Sequence, residues 1–286
     1  MTISVIQFIH NGREPKPDSE TGISWNRGDH RRKFLKCNGT YLGQNERKIQ
    51  GPMVFWGEWE PESRVVRRIE KPIENGPHYV YEPYYVHPSS YKELQNTDPF
   101  VFGNPFRYSY CQQPSRPSLR NLEKGSLILF GSPVKGRFAL DTVFVVSDSI
   151  SWSQDNVEAL LQEAHETYRI VTVNPILEGK GSGFWKACAR RIDSATYRFY
   201  CGATFNNPIN EMFSFFPCQA YTEDSSGFAR PTIQMSTITD TLPRGIKITK
   251  CKDVDEASSY WKEVVKQVTR TCSLGIFAEM PKCESS

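Results

Sequence analysis

The chain has 286 residues, 38% of them hydrophobic and 23% charged, a balance that fits a folded globular protein and excludes a disordered one. A formal net charge of +3, from 35 Lys and Arg against 32 Asp and Glu, does not by itself call for a polyanionic partner. No stretch approaches the ~20 apolar residues of a membrane span.

Aromatic residues reach 13%, an excess that suits β-rich packing, where rings fit the pleated surface. Stacking platforms for bases are the less frequent cause. The eight cysteines are scattered and form no C-x-x-C pair, which leaves zinc ribbons and thioredoxin chemistry without support. Residues 1–10 carry no basic region ahead of an apolar run and read as a strand rather than a signal peptide. The chain is therefore expected to be cytoplasmic, with its thiols reduced.

In chain order, a first strand is expected at Ile3 to Phe8, then a long polar loop from Asn11 to Gln50. Within that loop Arg27, Arg31, Arg32, Lys33 and Lys36 cluster, either as a solvated basic segment or as a phosphate contact. Pro52 to Trp59 reads as a strand paired in a hairpin with Arg64 to Ile69. The Pro- and Tyr-rich segments Lys71 to Pro88 and Pro99 to Pro117 read as surface loops. Leu122 to Val146 reads as two apolar strands joined by a Gly/Pro turn.

Ser153 to Tyr168 carries Val157, Leu160, Leu161, Ala164 and Tyr168 on one helical face, with Ser153 as N-cap. Further strands are expected at Arg169–Val173, Thr196–Ala203, Met212–Pro217, Pro231–Met235 and Gly245–Thr249. A second helix spans Asp253 to Arg270, with Asp253 and Glu256 at capping-box spacing. Ten or so short strands and two helices predict an α+β chain, mostly antiparallel, around a partly closed barrel. The expectation is a single domain, 1–286, with its barrel core at about 50–250, a basic loop at 11–50 and a C-terminal helix at 253–270.

Catalytic templates are easily excluded: no G-x-S-x-G elbow, Walker loop, H-E-x-x-H or Rossmann fingerprint occurs. The five histidines lack metal-ligand spacing, and neither a metal nor a cofactor is expected. Asp141 interrupts the apolar run Phe138–Val146, so its carboxylate must point outward or find hydrogen-bond partners inside. Together with His87, His30 and Asp98 it is a candidate acid/base group.

Trp56 and Trp59 could cage a base, although core packing is the alternative for at least one of them. Tyr84 adds a ring on a Pro-stiffened segment. Gln95, Asn96, Thr97 and Asp98 bunch four hydrogen-bonding side chains that can read a base edge or simply cap a turn. Arg230 can reach a phosphate or close a salt bridge.

The corner Lys124-Gly125-Ser126, with the strands that follow it, resembles the PUA-like superfamily of EVE, ASCH and YTH-type barrels and nucleotide-modification-associated domains. Here Ser126 stands where aspartate is usual. The resemblance implies a small barrel that binds DNA, RNA or a nucleotide, often taking a modified base into an aromatic-lined pocket, in a bacterial or phage defence setting. It also makes Ser126 and the strand after it pocket-wall candidates. Two alternatives stand beside this reading: a nuclease or other enzyme acting on nucleic acid or nucleotides, and a protein-interaction subunit.

Overall fold

In the computed structural model, residues 2–10, 12–43, 47–153, 156–178, 196–242 and 244–285 are described. They form an α+β molecule dominated by two mixed sheets. The strands are β1 (Ser4–Ile9), β2 (Gly22–Ile23), β3 (Lys33–Leu42), β4 (Lys48–Gly57), β5 (Ser63–Arg68), β6 (Tyr79–Val86) and β7 (Arg107–Tyr108). They continue with β8 (Leu127–Val134), β9 (Arg137–Trp152), β10 (Tyr197–Gly202), β11 (Phe216–Ala220), β12 (Gly245–Lys250), β13 (Ser273–Ala278) and β14 (Lys282–Glu284).

The first sheet runs β12-β1-β8-β9-β10-β7. Its centre is the hairpin read from the sequence, β8 against β9, where Leu127 faces Val145 and Val134 faces Arg137. Both strands are buried over most of the shared length, so they read as a continuous apolar run. The register shifts between Phe130, opposite Thr142, and Gly131, opposite Leu140, which leaves Asp141 as the extra residue of a β-bulge. A bulge re-aims the side chain it carries, so simple alternation does not govern Asp141. Gly131 is needed there, since a Cβ would lie 2.2 Å from the Ala139 carbonyl oxygen.

The second sheet runs β13-β11-β4-β3-β6-β5-β2, and β13 pairs with β3 as well. Thus β3, β4, β11 and β13 close a ring of four paired strands, while the two sheets as wholes do not make one closed barrel. At the closing contact Gly39 lies against Phe277, whose carbonyl oxygen a Cβ would approach to 2.2 Å.

Several expectations are corrected here. The segment 11–50 is not a structureless loop: β3 lies inside it and pairs in full with β4, from Lys33 opposite Gly57 to Leu42 opposite Lys48. Residues 64–69 do not pair with β4; β5 instead pairs with β6 and β2. The Tyr-rich segment contains β6. Arg169–Val173 is a π-helical turn rather than a strand, and the helix expected over 153–168 is broken into Glu158–Glu163 and Glu166–Tyr168. Strand β11 starts later than Met212, and Thr232 makes only an isolated bridge to Ala139. Among the described residues no helix is long and apolar enough to cross a membrane.

The helix Val254–Val268 forms as its sequence dictates. Asp253 accepts a hydrogen bond from the Glu256 backbone N–H at 2.9 Å, and Glu256 accepts one from the Lys252 N–H at 2.8 Å. Ala257, Trp261, Val264 and Val268 are buried, with Trp261 edge-on to Phe213 at 5.0 Å. Replacing Asp253 with Ala orphans a helix N-terminal donor, for an expected loss of about 1 kcal/mol. Denaturant titration of the variant checks this, and an unchanged midpoint would remove the cap from the account.

Candidate functional site: a buried ionic cluster between two basic clefts

Four chain segments converge where the ends of the two sheets meet. Strand β1 ends at Ile9, and His10 is held by its N–H on the Gly131 carbonyl at 2.8 Å. Beyond β4 the chain stays extended, so Glu58 and Glu60 face one way and Trp59 the other. Trp59 is sealed in the core, its Nε1 donating to the carbonyls of Glu62 and Tyr84. The turn before β3 is tied down by the Asn26 N–H on the Glu60 carbonyl at 2.8 Å and brings in His30 and Arg32. The bulge in β9 supplies Asp141.

These side chains form one network. Glu58 Oε2 lies 2.7 Å from Arg32 Nη1 and 3.0 Å from His10 Nδ1. Its Oε1 lies 3.1 Å from His30 Nδ1 and accepts the Asp98 N–H. Glu60 Oε1 is 2.9 Å from the same His30 nitrogen, and Arg32 Nε donates to Asp141 Oδ2 at 2.8 Å. Arg230 reaches Asp141 at 3.5 Å, donates to Ser132 and the Gly12 carbonyl, and lies over the Trp56 ring at 4.9 Å. The rings of His10 and His30 stack in parallel with centroids 5.3 Å apart.

Buried charges are stable only when paired, and this cluster is paired throughout. Burial pulls the His30 imidazole down, but Glu58 and Glu60 outweigh it and hold its pKa at about 10. The three carboxylates of Glu58, Glu60 and Asp141 then face three cations: Arg32, Arg230 and protonated His30. Burial works against Glu58 as a carboxylate, yet Arg32, His30 and His10 keep it well below the usual range. His10 goes the other way, lowered by burial despite Glu58.

The ligand atoms of His30, Glu58 and Glu60 lie within 4.8 Å of one another, a donor set that divalent cations accept. Here the His30 proton and the Arg32 guanidinium already supply the positive charge between those carboxylates.

Two clefts flank the cluster and share Asp29 and His30 as their common wall. The first, about 1000 Å³, is lined by Arg13, Lys16, Arg31, Trp56, Lys135 and Arg230. The second, about 910 Å³, is lined by Arg27, Gln95, Asn96, Cys111, Arg116 and Arg244.

The structure sorts the residues singled out from the sequence. Arg27 and Arg31 line the clefts and His30 divides them. Arg32 and Lys33 do not reach solvent and cannot meet a phosphate there: Arg32 is inside the ionic cluster, and Lys33 donates to the Pro61 carbonyl and the Ser63 hydroxyl. Burial lowers the Lys33 pKa to about 7. Trp56 edges the first cleft, whereas Trp59 touches neither, so the two indoles do not form a cage.

Gln95 and Asn96 line the second cleft, and Asn96 Nδ2 is buried with no partner among the described residues. Thr97 and Asp98 serve the backbone. Thr97 accepts the Glu60 N–H, and Asp98 accepts the N–H groups of Ser109, Tyr110 and Cys111. Ser126 is buried and accepts the Ser4 N–H, away from both clefts. Tyr84 stacks under Arg64, and His87 is exposed near Tyr85 and outside both clefts.

Sequence reasoning missed His10, Cys111, Arg116 and Arg244. One signal was available for His10: a polar residue ending a mostly apolar strand. No protein-family model, curated protein or solved structure matches the chain.

Proposed function

We propose that the chain binds a nucleotide or a nucleic-acid strand across the two clefts that meet at His30. The observation that carries this reading is the ring of cationic side chains: Arg13, Lys16, Arg31 and Lys135 line one cleft, and Arg27, Arg116 and Arg244 the other. Among the described residues no carboxylate pairs with Arg27, Arg116 or Arg244. Gln95 and Asn96 stand beside them and offer the paired donor and acceptor that a base edge matches. The resemblance of residues 122–146 to PUA-like barrels is the ground for reading the ligand as a base and the setting as bacterial or phage defence, although Ser126, the pocket-wall candidate it named, lies away from both clefts.

Fluorescence anisotropy with single-stranded DNA, single-stranded RNA and free nucleotides tests the proposal. Binding is expected to weaken steeply as salt rises from about 50 to about 200 mM, because phosphate contacts release counterions. Arg116→Ala and Arg244→Ala are each expected to weaken all sequences alike and to lower the salt slope by about one. Absence of binding, or binding without a salt slope, removes the proposal.

A further inference from the structure

The second cleft is lined by a thiol beside an imidazole, and a buried carboxylate stands behind the imidazole. Cys111 Sγ lies 2.7 Å from His10 Nε2, and His10 Nδ1 lies 3.0 Å from Glu58 Oε2. Nucleophile, base and orienting acid in hydrogen-bond sequence is the geometry that activates a side chain for covalent catalysis. Fold and residue order carry no weight in recognising it.

The support around these groups is specific. The Cys111 peptide is fixed from both sides, its N–H on Asp98 Oδ2 and its carbonyl under the Tyr108 hydroxyl, each at 2.7 Å. Gln112 follows at φ 59°, a left-handed conformation that few residues other than glycine adopt, so the chain turns sharply at the thiol. His10 is gripped by Glu58, which Arg32 and the Asp98 N–H hold in turn. Asn96, with its unpartnered buried amide, lines the same cleft and supplies the kind of donor that a developing oxyanion requires.

We propose that Cys111, His10 and Glu58 form a nucleophilic triad that attacks the carbonyl carbon of an anionic ester, thioester or amide seated in the second cleft. This goes beyond nucleotide binding and does not depend on it. The anionic class follows from Arg27, Arg116 and Arg244 at the cleft wall.

Burial lowers His10 and raises Cys111, with Glu58 and Asp98 adding to the rise, so the resting pair is neutral and its proton sits on sulfur. Arg32 Nη2, 2.7 Å from His10 Nδ1, donates to that nitrogen when it is unprotonated, whereas Glu58 accepts from it when it is protonated. The second tautomer is the reactive one, since it leaves Nε2 open to the thiol proton.

In the first half-reaction the S–C bond forms as the thiol proton moves to His10 Nε2. The tetrahedral intermediate then collapses, the bond to the leaving group breaks, and His10 returns the proton to that group. Water, deprotonated by His10, cleaves the thioester and restores the thiol. The sum is substrate plus water giving a carboxylic acid and the protonated leaving group.

The test uses the full chain with p-nitrophenyl acetate, followed by p-nitrophenolate release and by mass spectrometry of peptides. A burst of one p-nitrophenolate per chain is expected, with the acetyl group on Cys111. Cys111→Ala abolishes the burst, and His10→Gln slows it at least ~100-fold, the scale of general-base catalysis. Iodoacetate is expected to alkylate Cys111 faster than neutral iodoacetamide does. Protection by inorganic phosphate assigns a phosphorylated substrate and protection by succinate a carboxylated one; protection by neither overturns the anionic class. Acetylation of the exposed Cys283 as readily as Cys111, or an unchanged burst in Cys111→Ala, overturns the triad. Either result leaves oligonucleotide binding to be judged on its own.

Discussion

Arg32→Met is expected to cost about 3–5 kcal/mol of stability, the penalty for stripping one partner from a buried ion pair. The reason is local. Arg32 is almost wholly buried and bridges Glu58 to Asp141, at 2.7 and 2.8 Å, and so joins the end of β4 to the bulge of β9. Methionine keeps most of the apolar stem but removes the cation between Glu58 and Asp141, so that three buried carboxylates are left with only His30 and Arg230 as counter-charges. The urea midpoint should fall with little change in slope, since the surface exposed on unfolding is nearly the same. Adding Asp141→Leu to the variant should recover part of the loss, because an apolar replacement of a buried pair is often close to neutral. A loss below about 1 kcal/mol, the scale of exposed pairs, would mean that water reaches the cluster.

Asp98→Ala is expected to be at least as damaging. It leaves the N–H groups of Ser109, Tyr110 and Cys111 without acceptors, and each orphaned buried group costs about 1–3 kcal/mol. Asp98 also makes stability depend on pH. Burial raises its pKa to about 7, with Glu58 adding to the rise against the three N–H donors. The folded state therefore holds the proton more tightly than the unfolded chain does. The stabilisation is complete below the ordinary carboxylate pKa of about 4 and is lost as pH rises through 7. The size of the effect is on the order of 4 kcal/mol. Wild type minus Asp98→Asn should thus show a stability difference that declines from pH 4 to pH 7. A difference that is flat, or that grows with pH, would show that Asp98 is charged in the folded state throughout.

What was legible in the sequence follows the reach of each interaction. The β8–β9 hairpin, β1 and the capped helix at 254–268 rest on contacts between near neighbours, or on one predominantly apolar run. Strand β3 was not legible because Lys33, Lys36, Asn38, Gly39 and Thr40 look like loop residues. Lys33 finds its partners in the Pro61 carbonyl and Ser63, and Gly39 is small because β13 crosses it.

The site fared the same way. His30 and Asp141 drew notice as polar residues in suspect places, yet their partners lie 28 residues away in Glu58 and 109 away in Arg32. His10 and Cys111 are 101 residues apart, and no local pattern joins them. Strand alternation alone puts Trp56 and Trp59 on opposite faces. It could not tell which indole would face a cleft, because that depends on Arg230 arriving from another part of the chain.

Strand β1 lies between β8, in parallel, and β12, antiparallel, and both neighbours are drawn from much later in the chain. During synthesis its buried segment, residues 4–9, leaves the ribosome long before either neighbour exists. Until β8 emerges it is an unpaired, largely apolar segment of the kind that recruits stray strands, and until β12 emerges one of its edges stays open. Maturation should therefore be slow and sensitive to chaperone supply. A chain cut short before Gly245 would leave β1 open along the side that β12 covers, and the second cleft would lose the wall that Gly245 supplies.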